Sequence, residues 1–294
     1  MGDAAIAIME EGKEHEHVFQ SRFPLVAVPD GITVPEFMLE GTDAYADMVA
    51  LVEAVPGGRS YMYGEVVRDT ARFARALRSM GIRKGHVIMV VLPSLAVYPV
   101  VSLGVMSTGA VFFDVNLRAL TAVIKKQVED SEAKLVVANK GTYDKVIDVG
   151  MPVIGIGDQE RMRGRSARTS CLPPRTAPVV TLGLLPFFHI YGNTGICCAM
   201  LRHKGMVVVM DRFDLRPFLQ AQTSNAHRHR VMFAPLVPPV ILAMVKSPVA
   251  EEFDLSSLVL KSSMTAAAPL APDLLAAFQR KFPGVQILEA YGLT

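Results

Sequence analysis

One histidine and one tyrosine follow an apolar run in the second half of the chain. The run, Val179 to Leu185, predicts a buried strand, and Pro186 ends it because proline has no N–H for the sheet ladder. His189 and Tyr191 come directly afterwards, among aromatic residues. Open α/β sheets bind ligands beyond the carboxyl ends of their strands, so a titratable ring here indicates a candidate ligand site. The same spacing also fits a core histidine that is hydrogen-bonded within an aromatic cluster.

Two other stretches of small or polar residues also follow predicted strands. Thr265 to Leu270 contains three alanines in a row, which would let a flat ligand approach the backbone, although a tight strand-to-helix turn explains them equally well. Glu289 to Thr294 combines an aromatic residue, a glycine and a hydroxyl, and alone it is an ordinary loop. Parallel strands would bring both stretches, together with Pro186 to Gly192, to one edge of a sheet. The combination favours a ligand site.

Other motifs that carry chemistry are incomplete or absent from the sequence. Gly155-Ile-Gly157 follows a predicted strand, but Glu160 stands where a dinucleotide fingerprint needs its third glycine, which argues against a nicotinamide oxidoreductase. The sequence contains neither a G-x-x-x-x-G-K-[ST] phosphate loop nor a G-x-S-x-G elbow. Two histidine pairs alternate with charged residues, which is typical of solvated tracts rather than metal sites: His15 with His17, and His227 with His229. No residue is therefore assigned to a metal.

The composition predicts a chain with a sizeable core. It has 294 residues, 51% of them hydrophobic, and a net charge of +2, which gives no general attraction to nucleic acid or to anionic membranes. Its three cysteines fit no disulfide framework and indicate a reducing compartment. Met1 to His17 lacks the apolar stretch of a signal peptide and Tyr291 to Thr294 is no peroxisomal signal, so we expect a cytoplasmic protein. Val179 to Leu201 is long and apolar, but Pro186 and three glycines favour strand–loop–helix over a membrane span.

Strand-like and helix-like segments alternate, which predicts an α/β fold of two βαβ-type subdomains with mostly parallel sheets. Residues 1–40 are expected to be irregular, residues 41–157 to form the first subdomain and residues 179–294 the second. Between them, residues 158–178 contain five arginines and three prolines, which is typical of a solvated linker. An RNA- or lipid-binding arm is the alternative, but no aromatic residue lies among these arginines.

The hydrophobic pattern also predicts individual elements. Gly64 to Met80 is an amphipathic helix with Gly81 as its C-terminal cap. Strands are predicted over Arg230 to Phe233 and over Leu258 to Ser263, and a helix over Gly195 to Arg202.

Several stretches resemble the adenylate-forming acyl-CoA ligases, most closely the plant 4-coumarate–CoA ligases and their acyl-CoA ligase-like relatives. They are Leu185-Pro-Phe-Phe-His-Ile-Tyr-Gly192, Arg212-Phe-Asp214, Ala234-Pro-Leu-Val-Pro-Pro239, Asp254-Leu-Ser256, Ala266-Ala-Ala-Pro-Leu270 and Tyr291-Gly-Leu-Thr294. Their order and spacing across residues 179–294 agree with that family, and residues 18–157 resemble the segment before its phosphate loop. The resemblance implies a shortened N-terminal large domain of the AMP-binding fold.

The resemblance also implies a reaction and a set of site residues. The family activates a carboxylic acid with ATP and Mg²⁺ through an acyl-adenylate and then joins it to coenzyme A; here 4-coumarate or a related aromatic or fatty acid is implied. The implied residues are His189 beside the reacting carboxylate, Tyr191 and Gly195 lining the acid pocket, Ala267 bordering acid and adenine, Glu289 and Ala290 near the adenine, Thr294 at the phosphate and Arg212 at coenzyme A.

The sequence departs from the family at several places. Glu289-Ala290 stands where the family has Gln-Gly, and residues 158–178 contain no Ser/Thr/Gly-rich loop ending in Lys-Gly to hold the triphosphate. The sequence also ends before the Mg²⁺ carboxylate expected directly after Thr294 and before the C-terminal domain with its catalytic lysine. We therefore expect an internally deleted, truncated chain with little or no ligase activity. The alternative is a non-catalytic protein that binds an aryl acid or associates with full-length ligases.

Overall fold

The computed structural model describes residues 28–55, 57–157, 179–223, 230–255 and 258–291. Its contacts divide the chain into residues 1–32 and residues 33–294. Of the first unit only residues 28–32 are described, and they contain no helix or strand. The predicted linker, the two histidine pairs and Thr294 lie outside the described residues. All structural statements below concern residues 33–291.

The described residues form α-helices, β-strands and one π-helix in alternation. The α-helices are α1 (Val34–Leu39), α2 (Tyr63–Ser79), α3 (Tyr98–Met106), α4 (Thr121–Asp130), α5 (Ala199–Arg202), α6 (Leu215–Thr223), α7 (Pro238–Lys246) and α8 (Pro272–Lys281), and the π-helix is Tyr191–Cys198. The strands are β1 (Val49–Glu53), β2 (Ser60–Met62), β3 (Val87–Val91), β4 (Val111–Asp114), β5 (Leu135–Asn139), β6 (Val153–Ile156), β7 (Val180–Gly183), β8 (Met206–Val209), β9 (Phe233–Leu236), β10 (Ser262–Thr265) and β11 (Gln286–Glu289).

The strands form two sheets, and the predicted α/β class with mostly parallel sheets is confirmed. The seven-stranded sheet has the order β11-β10-β9-β7-β8-β1-β2, and the four-stranded sheet has the order β4-β3-β5-β6. All pairs are parallel except β1 with β2. The carboxyl ends of β7, β8, β9, β10 and β11 therefore lie at one edge of the larger sheet.

Strands β1 and β2 join the larger sheet, although they precede the smaller one in the chain. Leu51 pairs with Val207 of β8, and both side chains are fully buried. The predicted division of the chain at residue 157 therefore does not coincide with the division between the two sheets. The smaller sheet is an insertion between β2 and β7.

Three local predictions are wrong. Within residues 1–40, which are predicted to be irregular, Val34–Leu39 is helical because Thr33 and Glu36 form a capping box: Glu36 N donates to Thr33 Oγ1 at 3.4 Å, and Thr33 N donates to Glu36 Oε2 at 2.8 Å. The strands predicted over Arg230 to Phe233 and Leu258 to Ser263 lie nearer the C-terminus, at β9 and β10.

Strand β9 contains a proline in a central position, which explains why the sequence pattern misplaced it. Pro235 pairs with Met264 of β10, but on the β7 side a single residue pair, Thr181 with Phe233, joins the strands. Proline has no N–H to continue that ladder, so pairing with β7 stops there. The pairing of β7 with β9 therefore ends before the carboxyl edge, where the His189 segment begins.

The largest hydrophobic cluster joins the two sheets. It contains Leu51 and Val207 of the larger sheet, Ile88 of the smaller sheet, and Leu77 and Leu103 of α2 and α3, all fully buried. The two sheets and the helices between them thus share one core.

Candidate functional site

The segment that carries His189 leaves β7 through closely packed residues. A Cβ on Gly183, the last residue of β7, would lie 2.7 Å from Val207 Cγ1 and 3.0 Å from Phe187 Cζ. Phe187 is fully buried, and its ring packs on the ring of Tyr98 with centroids 5.6 Å apart. Glycine at position 183 therefore lets the Phe187 ring lie against the sheet and anchors the start of the segment.

His189 is exposed, so the structure does not support a core histidine. Its backbone N donates to Pro186 O at 3.0 Å, and its ring Nδ1 accepts from Tyr191 N at 3.2 Å. When the ring is neutral, Nδ1 is thus the acceptor and Nε2 carries the proton. The imidazole offers an N–H donor at the carboxyl edge of the sheet.

The helix after His189 begins at Tyr191 as a π-helix, earlier than the predicted start at Gly195. π-Helical turns occur frequently at functional sites. Gly192 is required at its start, because a Cβ there would lie 2.2 Å from Pro186 O. The tight return of the chain brings Tyr191 towards β10.

Tyr191 and Gly195 contact each other, and Tyr191 connects the His189 segment to β10. Its phenol donates to Met264 O at 3.4 Å, and burial raises its pKa to about 12, so it stays protonated. A Cβ on Gly195 would lie 2.9 Å from Tyr191 Cδ2. Tyr191 thus forms a half-buried aromatic wall, and the neighbouring Gly195 is exposed.

The turn after β10 and the end of β11 lie side by side. Ala267 is exposed and has φ +73°, the left-handed conformation that is uncommon for residues other than glycine. Ala290 N donates to Thr265 O at 2.8 Å, and both Glu289 and Ala290 are exposed. Thr265 Oγ1 is buried and has no hydrogen-bond partner among the described residues. The predicted residues Ala267, Glu289 and Ala290 therefore share one stretch of the carboxyl edge.

Arg212 lies apart from this group. It is exposed and follows β8, which three strands separate from β11. At about 4.8 Å per strand, roughly 19 Å lies between the ends of β8 and β11. The structure thus brings Tyr191 near β10 and places Arg212 on the far side of β7.

Sequence reasoning missed the residues behind the His189 segment, which come from the first half of the chain. Phe187 N donates to Ser94 Oγ at 3.1 Å, and Ser102 Oγ donates to Asn193 Oδ1 at 3.4 Å. These contacts join residues more than ninety positions apart. No local pattern in the sequence predicts them.

The chemistry available at this edge is hydrogen bonding, apolar contact and close backbone approach. Within the described ranges, no three His, Cys, Asp or Glu side chains are grouped so that they could hold a metal ion. Among those same residues, no helix combines the length and the apolar character needed to cross a membrane. An exposed imidazole beside an aromatic wall is suited to a carboxylic acid with an apolar body.

The chain belongs to the family described as AMP-binding enzyme, whose profile matches residues 40–160 and 164–294. The resemblance to acyl-CoA ligases is thereby confirmed.

Relatives within this family make the comparison more specific. The chain is 63% identical to "4-coumarate--CoA ligase-like 9" of Oryza sativa subsp. japonica, over 100% of this chain and 62% of the relative. It is 44% identical to "4-coumarate--CoA ligase-like 1" of Arabidopsis thaliana, over 97% of this chain and 61% of the relative. The alignment with the rice relative extends over 351 residues against the 294 of this chain, so it contains residues without a counterpart here.

Solved structures support the fold. A benzoate CoA ligase from Burkholderia xenovorans LB400 superposes with a TM-score of 0.73 at 18% identity, over 89% of this chain and 61% of that chain. The curated relatives named above are longer than this chain, which spans about three fifths of their length.

Proposed function

We propose that this chain provides the acid- and nucleotide-binding part of an ATP-dependent acyl-CoA ligase that acts on 4-coumarate or a related aromatic or fatty acid. The observation that carries the proposal is the arrangement at the carboxyl edge. Exposed His189, half-buried Tyr191 and the Ala267 turn follow parallel strands of one sheet, and the Tyr191 phenol bonds to β10.

Each residue has a role that its surroundings permit. The His189 Nε2–H would donate to a carboxylate oxygen of the acid, because Nδ1 already accepts from Tyr191 N. The Tyr191 ring and the exposed Gly195, where a Cβ would lie 2.9 Å from Tyr191 Cδ2, would border the apolar body of the acid. The small side chain of Ala267 would let the acid and the adenine ring approach the turn.

The remaining residues would contact the nucleotide and coenzyme A. Glu289 and Ala290 would border the adenine, Thr294 a phosphate and Arg212 coenzyme A. ATP supplies the adenylyl group to which the acid carboxylate is joined, with release of pyrophosphate. Because the described residues include no group of three metal ligands, we assign no side chain to Mg²⁺.

We further propose that the 294-residue chain alone has little ligase activity. Residues 158–178 contain no lysine and no glycine-rich loop, so the backbone N–H groups and the lysine that would stabilise the charge developing on the triphosphate are missing there. Removing one such donor commonly costs about 3 kcal/mol of transition-state stabilisation. The second candidate function is accordingly a non-catalytic protein that binds an aryl acid and associates with full-length ligases.

Binding and activity are tested together. Calorimetric titration of the chain with 4-coumarate should detect binding that His189→Ala weakens roughly ten- to hundredfold, since a hydrogen bond to a charged group contributes about 1.5–3 kcal/mol. His203→Ala is the matched control, because His203 is also exposed but precedes β8 at the opposite edge of the sheet. ATP–pyrophosphate exchange with 4-coumarate, cinnamate and a medium-chain fatty acid should remain at the level of His189→Ala.

The two measurements separate the alternatives. Exchange above the His189→Ala level would show that adenylation does not need the phosphate loop, and the proposal of low activity would be wrong. Failure of the folded chain to bind any of these acids would contradict the proposed acid site.

A further inference from the structure

Residues of the first half of the chain hold both ends of the segment that carries His189. Ser94, Tyr98 and Ser102 are spaced four residues apart and run from the turn after β3 into α3. All three are buried, and each of them contacts the segment from Phe187 to Asn193. We call this segment the histidine segment.

The first contact fixes the start of the histidine segment. Phe187 N donates to Ser94 Oγ at 3.1 Å, and the Phe187 ring packs edge-on against Tyr98. Ser94 is itself held in place, since Glu53 Oε1 accepts from Ala96 N at 3.1 Å and Glu53 belongs to β1 of the larger sheet. The position of Phe187 is thus set by residues from the first half of the chain.

The second contact fixes the end of the histidine segment. Ser102 Oγ lies 3.4 Å from Asn193 Oδ1 and 3.2 Å from Pro99 O, and it shares its proton between them. Asn193 N in turn donates to His189 O at 3.0 Å. The backbone of His189 therefore lies between two anchored residues, two positions after Phe187 and four positions before Asn193.

We propose that Ser94 and Ser102 are positioning residues that set the place of the His189 ring in the acid site. Both serines are buried, so they would act on the acid site through Phe187 and Asn193 rather than by contact with a ligand. The inference rests on the proposed function for the meaning of the site, but the anchoring itself is independent of it.

Amide hydrogen exchange tests the anchoring without any ligand. Ser94→Ala should accelerate exchange at Phe187 and His189 about three- to tenfold, the range expected when one net hydrogen bond is lost. Ser102→Ala should do the same at Asn193. Ser107→Ala is the matched control, because Ser107 is also associated with α3 but its Oγ bonds to Leu103 O within the helix, at 2.8 Å.

Ligand binding then tests positioning as opposed to stability alone. Ser94→Ala should weaken 4-coumarate binding several-fold, and Ser94→Thr, which keeps the acceptor oxygen, should restore it. In the His189→Ala background, Ser94→Ala should have no further effect, because the serine acts through that ring. An equal loss in both backgrounds would overturn the positioning role.

The outcomes distinguish this inference from the proposed function. Unchanged exchange in the histidine segment, or equal acceleration throughout β3 and β7, would overturn the inference whatever the ligand does. Faster exchange in the serine variants, confined to the histidine segment, would support the anchoring even if the wild-type chain binds no acid. That failure to bind would contradict the proposed function instead.

Discussion

At the scale of single residues, Gly192 places the strictest demand on the geometry of the site. Its missing Cβ would lie 2.2 Å from Pro186 O and 2.7 Å from Pro186 C, which are backbone atoms that cannot rotate away. The tight return from Pro186 to the π-helix thus exists only with glycine at position 192. Its importance is steric, since its φ is not in the left-handed region.

We expect Gly192→Ala to lower the free energy of unfolding by about 1–3 kcal/mol, as overpacking of a filled site does. It should also weaken 4-coumarate binding, because the backbone must shift next to His189. Urea denaturation and calorimetry measure the two effects. Gly155→Ala is the control, since a Cβ there meets nothing within 4 Å and its φ is not positive. Equal stability of the two variants would contradict the steric argument.

Asp114 gives a second prediction at the residue scale. It ends β4, and its carboxylate accepts a hydrogen bond from the Tyr98 phenol behind Phe187. Burial raises the pKa of Asp114 to about 7, and the Tyr98 bond lowers it less than burial raises it. The folded chain therefore holds a proton that the unfolded chain releases near pH 4, so stability falls as pH rises from about 4 to about 7.

Titration of Asp114 can change the free energy of unfolding by at most about 1.4 kcal/mol per pH unit. Asp114→Asn keeps an oxygen acceptor for the Tyr98 phenol but cannot titrate. We expect the difference in unfolding free energy, variant minus wild type, to increase between pH 4.5 and pH 7.5. Urea titrations at four pH values measure it. A difference that does not change with pH would show that the Asp114 carboxyl has an ordinary pKa.

At the scale of elements, a lysine joins the ends of two helices. Lys281, the last residue of α8, donates through Nζ to Val245 O at 2.8 Å and to Ser247 O at 3.1 Å. Both carbonyls lie at the C-terminal end of α7, where the last carbonyls of a helix lack donors from a following turn; Ser247 O also accepts from Ala250 N at 3.4 Å. A cation at this position also interacts favourably with the helix dipole.

We expect Lys281→Met to lower the free energy of unfolding by about 1–2 kcal/mol, because charged hydrogen bonds to two carbonyls are lost. Methionine keeps most of the aliphatic packing, so the change reports the ammonium group. Lys246→Met, at an exposed residue in the same turn of α7, should change stability by less than about 0.5 kcal/mol. A similar loss of stability in both variants would show that removal of a positive charge, and not of the two hydrogen bonds, causes the effect.

The elements also show how far the sequence could be interpreted in advance. Helix α2 was predicted to within one residue at each end, because its apolar face and Gly81, with φ +88°, are local signals. β9 was misplaced because Pro235 argues against a central strand, yet the sheet tolerates it by ending the ladder with β7. β1 was missed because its place beside β8 depends on residues more than 140 positions away, and β2 joins the sheet through its pairing with β1.

The same distinction applies to the candidate site. His189, Tyr191 and Ala267 could be found because each follows a strand and resembles a family motif. Ser94 and Ser102 could not, because hydroxyl contacts between distant segments leave no periodic pattern. The π-helical start at Tyr191 was also missed, since the pattern assigns an ordinary helix from Gly195 onwards.

At the scale of the whole molecule, the two sheets depend on a shared core. β1 pairs with β8, and the buried Tyr63 phenol of α2 donates to Gly205 O at 2.6 Å, just before β8. Leu77 and Leu103 of α2 and α3 pack in the same cluster as residues of both sheets. A chain of two independent subdomains would not share its central cluster in this way, so we expect residues 33–291 to unfold in one step.

Tyr63→Phe tests this cooperativity, because it removes only the hydroxyl that bonds to Gly205 O. Leaving a buried carbonyl without its hydrogen-bond partner lowers the free energy of unfolding by about 1–3 kcal/mol. We expect the slowest-exchanging amides of β3 in the smaller sheet and of β8 in the larger sheet to lose the same protection, since both open only in global unfolding. Tyr143→Phe, at an exposed residue, should leave both unchanged. Loss confined to β8 would mean that the sheets unfold separately and that the shared cluster does not couple them.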